Sequence, residues 1–259
     1  MQNDNWGWQA RIGLFIVASE AVPEAEWWAM APPHVSIHAA RIASPSPWAT
    51  LANGALRLSD DLARGAAHFK SMRLDAVVLA HTTSSIVGGA GWDAAVVKAL
   101  SEAIGPGPIV TTNGLDQQAA LKALAIKRPF VVFPPWFGDA QLQAGADYFS
   151  GDGRTVEAFM RHDPGPGWRD VPPGEQYQRG LGFAQQVEPL YREILAKCPD
   201  SADGILIAGT GFRCVGILDA LERDLGRPVV AANAASLWQT LRLSGIAPRV
   251  QGYGRLLAG

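Results

Sequence analysis

Short apolar runs ending in polar or glycine-rich clusters alternate along this chain with stretches in which apolar residues recur at helical spacing. Strands are predicted at residues 11–18, 34–42, 75–80 and 108–114, and again at 128–137, 203–208 and 228–235. Helices are predicted at 23–30, 56–69, 92–104, 116–125, 139–149, 175–197, 216–225 and 238–243. Near-continuous apolar strands alternating with helices predict an α/β fold with parallel sheets. Residues 44–47, Ser-Pro-Ser-Pro, read as loop. The stretch 151–174 is rich in Gly, Pro and Asp, and its length suits a lid, an insertion or a surface loop.

The pattern occurs twice. Asp75-Ala-Val-Val-Leu-Ala-His-Thr-Thr and Asp203-Gly-Ile-Leu-Ile-Ala-Gly-Thr-Gly share an apolar run, a closing Ala and a following Thr. They differ between Ala and Thr, with His81 in one and Gly209 in the other. The strands beginning near Arg11 and Arg128, and near Pro108 and Pro228, pair in the same way, the latter two closing on Asn113 and Asn233. Duplication of a β/α unit predicts two similar half-domains, residues 1–112 with about 236–259 and residues 113–235. Their strand ends would face one cleft.

Composition narrows the function classes. At 259 residues and 48% hydrophobic content the chain can bury a large core. A net charge of −2 with scattered basic residues gives no footprint for nucleic acid or an anionic membrane. No apolar run is long enough to cross a bilayer, and the polar N-terminus is unlike a signal peptide. Cys198 and Cys214 make no disulfide framework, which favours a reducing cytoplasm. A homo-oligomer is compatible with these features. There is no HExxH, CxxC, P-loop or GxSxG, so neither a metal nor another cofactor is expected. Gly209-Thr-Gly211 follows a strand, but Cys214 stands where a third glycine of a dinucleotide fingerprint belongs.

The candidate site is therefore a set of strand-end residues: Ser19, Glu20, His81, Thr82, Thr83, Asn113, Trp136, Gly209, Thr210, Gly211 and Asn233. Hydroxyls beside backbone N–H groups suit anion binding, and an imidazole or carboxyl can move a proton. His34 and His38 are expected to be structural, and Arg41 and Arg213 to pair at the surface or between half-domains.

Over nearly its whole length the chain resembles the aspartate/glutamate racemase superfamily, in its maleate isomerase and arylmalonate decarboxylase branch. The resemblance is carried by Arg11-Ile-Gly-Leu-Phe-Ile-Val, Ile37-His-Ala-Ala-Arg41, Ala80-His-Thr-Thr-Ser-Ser-Ile-Val-Gly-Gly89, Pro135-Trp136 and Asp203-Gly-Ile-Leu-Ile-Ala208. Its most specific carriers are Leu218-Asp-Ala-Leu-Glu-Arg-Asp-Leu-Gly-Arg-Pro-Val-Val230 and Gly252-Tyr-Gly-Arg-Leu-Leu257. It implies two Rossmann-like half-domains about a pseudo-twofold axis, with the active site between them. Isomerases and racemases of that superfamily use one cysteine from each half. Here the first falls on His81 and the second, which decarboxylases also need, on Gly209. An Asn that binds substrate falls on Glu20, and a Tyr that binds carboxylate falls on Trp136.

The resemblance thus implies the scaffold and its anion-binding hydroxyls without the two-thiol mechanism. The expected activity is cysteine-independent acid–base chemistry on a small carboxylate or carbonyl compound, through an enolate or oxyanion. A decarboxylase-type lyase or a hydrolytic step fits best. His81 is expected to transfer the proton with Glu20 assisting, while Thr82, Thr83, Asn113, Trp136, Ser19, Gly209, Thr210 and Gly211 bind substrate. Maleate isomerisation or racemisation proper, and a non-catalytic small-acid-binding protein, are the alternatives.

Overall fold

The computed structural model describes residues 4–52 and 55–259, so the first three residues of the polar N-terminal stretch lie outside it. The first half runs β1 (Ala10–Val17), α1 (Val22–Met30), β2 (Val35–Ile42), β3 (Ala49–Ala52), β4 (Ala55–Leu58), α2 (Asp60–Lys70), β5 (Ala76–Leu79), α3 (Thr82–Gly88), α4 (Trp92–Ile104) and β6 (Ile109–Thr112). There follow α5 (Asn113–Ala123), β7 (Pro129–Phe133), α6 (Asp139–Phe149), β8 (Ala158–Arg161), α7 (Pro173–Gln176), α8 (Leu181–Ala184), α9 (Val187–Lys197) and β9 (Gly204–Ile207). The chain closes with α10 (Leu218–Leu225), β10 (Val229–Ala231), α11 (Ala232–Leu243) and α12 (Arg255–Ala258).

Two parallel sheets result, ordered β2-β1-β5-β6 and β8-β7-β9-β10. They match strand for strand, as duplication predicts. The match reaches individual bonds. Arg11 N–H donates to the Asp75 carboxylate at 2.8 Å, and Arg128 N–H to that of Asp203 at 2.7 Å. At the far ends Ala80 N–H donates to the Phe15 carbonyl at 3.0 Å and Ala208 N–H to that of Val132 at 2.9 Å. Strands β5, β7 and β9 are buried at every position, which is why they read as unbroken apolar runs.

The two halves are tied by the helices that follow β6 and β10. Asn113 opens α5, and its side-chain N–H groups reach across to the Ala232 carbonyl at 2.8 Å and Ser236 Oγ at 2.9 Å. Its counterpart Asn233 donates to Glu26 Oε2 at 2.7 Å and to the Thr210 carbonyl at 2.9 Å. Ser236 Oγ in turn donates to Asp116, whose burial pushes its carboxyl up to about 8.

Several predicted elements differ. The helix expected over 56–69 begins only at Asp60, because β3 and β4 pair as antiparallel strands and Ser59 caps α2 by accepting the Leu62 N–H. Asn113 and Asn233 lie inside helices rather than at strand ends, since strands β6 and β10 stop at Thr112 and Ala231. The stretch 151–174 contains β8, a short edge strand only partly buried, whose three apolar residues Ala158, Phe159 and Met160 are too few to mark a strand. The helix expected over 175–197 is broken into α7, α8 and α9. Gly180 has φ +98°, which a continuous helix cannot accommodate, and Pro189 fits only the first turn of α9.

Candidate functional site

Ligand groups in an open parallel sheet gather beyond the strand C-termini, and four such ends meet here. The turn after β1 supplies Ser19 and Glu20, and the turn after β5 supplies His81, Thr82 and Thr83. The end of β7 supplies Trp136, and β9 leads into Gly209, Thr210 and Gly211. All nine line one cavity of about 390 Å³ between the halves. Asn113 does not reach it. It is fully buried behind Thr82, whose hydroxyl donates to Asn113 Oδ1 at 2.5 Å. Asn233 likewise lies outside the lining and holds the Thr210 carbonyl from behind. These two asparagines shape the cavity wall rather than contact its contents.

Glu20 is the chemically unusual group. It is buried, its Oε2 has no hydrogen-bond partner, and burial pushes its carboxyl up to about 8. The Arg41 guanidinium works against that rise. It is held in place by the Ala18 and Glu20 carbonyls at 2.9 and 2.7 Å and by the Glu24 carboxylate. Arg41 thus braces the β1–α1 turn and pairs at the surface, as expected. At neutral pH Glu20 is a protonated acid facing the loop after β9. The contact is tight: a methyl group at Gly211 would lie 2.5 Å from Glu20 Oε1 and 3.2 Å from the Tyr177 ring. Gly211→Ala is therefore expected to displace the Glu20 side chain. Thermal unfolding should change little while turnover drops at least tenfold, the pattern of a misplaced catalytic group.

His81 lies at the start of α3 with its ring stacked on Trp48, centroids 4.1 Å apart. Nδ1 is 2.8 Å from Ser84 Oγ, and Nε2 is 3.4 Å from Ser46 Oγ at the cavity edge. Burial without a carboxylate partner holds the imidazole down to about 3, so it is neutral across the physiological range.

The hydroxyls divide into two kinds. The proton of Thr82 is engaged by Asn113, whereas the Thr83 and Thr210 hydroxyls have no protein partner among the described residues. Trp136 and Tyr177 meet edge-on at 4.8 Å and give the cavity an aromatic wall. Tyr177, which no sequence feature marks, comes from the broken helical stretch 173–184. Ser46, Trp48 and Ser84 around His81 were also not singled out. Ser84 sits within the hydroxyl run after β5, yet only tertiary structure shows which hydroxyl meets the ring.

Neither cysteine lines the cavity. Cys198 lies at the end of α9, and buried Cys214 donates its backbone N–H to Glu26 at 2.7 Å. A larger and more apolar groove of about 490 Å³ flanks Phe183 and Glu26. Glu26 is occupied there in bonding Cys214 N–H, Val215 N–H and the Asn233 amide, and the groove brings no other buried titratable side chain. The chemistry therefore concentrates in the smaller, polar cavity. His34 and His38 are engaged elsewhere, with Asp4 and Ser36. No helix of the described residues is long and apolar enough to cross a membrane.

Two parallel-sheet halves with the site between them constitute the aspartate/glutamate racemase-like fold. Maleate isomerase Iso from Pseudomonas putida S16 superposes with a TM-score of 0.81 at 20% identity, covering 96% of this chain and 98% of that one. Unliganded arylmalonate decarboxylase superposes with a TM-score of 0.70 at 23% identity, with coverage of 96% and 98%. Within that fold, the arylmalonate decarboxylase family model matches residues 183–257. The arylmalonate decarboxylase of Bordetella bronchiseptica is 29% identical over 185 residues, 70% of each chain. The likeness to arylmalonate decarboxylase thus extends to sequence as well as fold, and the proteins matched are enzymes.

Proposed function

We propose that this chain is a decarboxylase-type lyase acting on small malonate-like acids without a cysteine. The observation that carries the proposal is Glu20, a buried and protonated carboxyl on the wall of the cavity between the halves, whose Oε2 has no hydrogen-bond partner among the described residues. Loss of CO₂ from a disubstituted malonate leaves its bonding electrons as an enediolate. The carbon must then be protonated, and an acid of pKa about 8 is suited to that transfer near neutral pH. Glu20 gives its proton to the carbon and is reprotonated from water, so one proton is consumed per turnover. Oriented donors stabilise the developing oxyanion. The Thr83 and Thr210 hydroxyls and His81 line the cavity and would supply them. A neutral imidazole held at about 3 is a poor base, which moves the proton-transfer role from His81 to Glu20. The aromatic wall of Trp136 and Tyr177 suits an apolar substituent on the acid.

The similarity to arylmalonate decarboxylase supports this reading over maleate isomerisation, because thiol addition would need a nucleophile that the cavity lining lacks. The test is turnover of a panel of substituted malonates, maleate, hydantoins and small lactams, with CO₂ release read for the malonates. At least one α-substituted malonate is expected to turn over, with deuterium entering the product α-carbon in D₂O. Small-acid binding by calorimetry without conversion of any panel member would replace this proposal with a non-catalytic binding protein.

A further inference from the structure

His81 has two ring nitrogens, and its neutral state leaves one proton to place. The surrounding hydrogen bonds decide where it goes. Ser84 Oγ accepts the backbone N–H of Trp48 at 3.1 Å. Ser84 is fully buried, and its hydroxyl proton needs an acceptor. The one acceptor bonded to it among the described residues is His81 Nδ1, at 2.8 Å. If Nδ1 carried the ring proton, Ser84 Oγ would receive two N–H donors and its own buried proton would be left without an acceptor. The Trp48 ring stacked on the imidazole keeps it from turning over to exchange its nitrogens.

We propose that Ser84 is a positioning residue that fixes His81 in the Nε2–H tautomer, making His81 a hydrogen-bond donor to a substrate oxygen. Nε2 lies on the Ser46 side of the ring, where both residues line the cavity, and its 3.4 Å separation from Ser46 Oγ leaves that donor weakly engaged. Thr82 donates its hydroxyl proton to Asn113, so the imidazole joins the Thr83 hydroxyl as a donor on this wall. The ligand recognised at this point is an acceptor, a carboxylate or enolate oxygen. A group that must itself donate is disfavoured there. The inference about the tautomer stands on the hydrogen bonds alone, whereas its role in turnover rests on the decarboxylase reading above.

The test is two-bond ¹H–¹⁵N correlation NMR of the full chain with ¹⁵N-labelled histidine, the His81 signals assigned by their loss in His81→Gln. Wild type is expected to show the Nε2–H pattern at pH 7. Ser84→Ala should populate both tautomers and weaken binding of methylmalonate about tenfold, the effect of one oriented hydrogen bond. Ser84→Cys, which restores a weak donor of similar size, should recover part of the Nε2–H population. An Nδ1–H pattern in wild type, or an unchanged tautomer in a folded Ser84→Ala protein, would overturn the inference. Correct tautomer behaviour in an enzyme that turns over no malonate would instead leave it standing and remove the decarboxylase proposal.

Discussion

Replacing Glu20 by Gln is expected to lower kcat for a substituted malonate by about a thousandfold, the scale of losing a positioned general acid, with little change in KM. The amide keeps the shape and cannot give up a proton to carbon. Wild-type kcat should fall as pH rises through about 8, where the Glu20 carboxyl ionises. Glu20→Gln should lose that decline, which separates the acid from any other group that titrates. The same burial has a stability consequence. The folded-state value of about 8 lies above the ordinary 4.5, so the native chain binds the proton more tightly than the unfolded chain. Stability from this group is full below about pH 4.5 and is lost as pH rises through about 8. By pH 7 the loss is on the order of 3 kcal/mol. Asp116, raised to about 8 by its own burial, acts in the same direction. Urea unfolding at pH 5 and pH 8 should show Glu20→Gln gaining on wild type at the higher pH. A loss of stability equal at both pH values would contradict this account of Glu20.

The second large effect concerns Gly209, the position on which the resemblance in sequence places a catalytic cysteine. Gly209→Cys is expected to destabilise the fold by about 2 kcal/mol and to confer no isomerase activity. Gly209 has φ +108°, a backbone conformation that side chains with a Cβ rarely adopt. A Cβ there would also press to 3.1 Å from the Pro134 ring. At this position the backbone path itself disfavours any side chain, a thiol included. His81→Cys places a thiol in extended backbone, at φ −147°, and carries no comparable strain. Chemical denaturation of the two variants should rank Gly209→Cys as much the less stable. Equal stability would show that the loop after β9 relaxes to accept the thiol.

Much of the scaffold was legible because the buried parallel strands declare themselves as apolar runs, and because duplication lets each run check its partner. The strand-end residues followed from that placement, and nine of the ten substrate-contacting or catalytic candidates do line one cavity. Asn113 was misplaced because a helix that starts directly at a strand end looks, in sequence, like more strand. The short edge strand β8 escaped notice because partial exposure dilutes its apolar pattern. The roles within the site were less accessible than its membership. Whether an imidazole serves as base or donor depends on its burial and on the bonds at each nitrogen. Ser84 three residues away, and Trp48 from a distant hairpin, decide it for His81. Tyr177 could not have been found, since nothing local connects it with Glu20.

Asn113 gives this molecule a property beyond holding its halves together. One end of its amide takes the Thr82 proton on one side of the axis while the other end grips the Ala232 carbonyl on the far side. The orientation of a hydroxyl at the cavity wall is thus set by how the second half sits against the first. A small slip between the sheets would reach the cavity first as a turn of the Thr82 hydroxyl. Selection on the geometry of the cavity therefore extends to the seam between α5 and α11, where substitutions far from the chemistry would be read as changes in it.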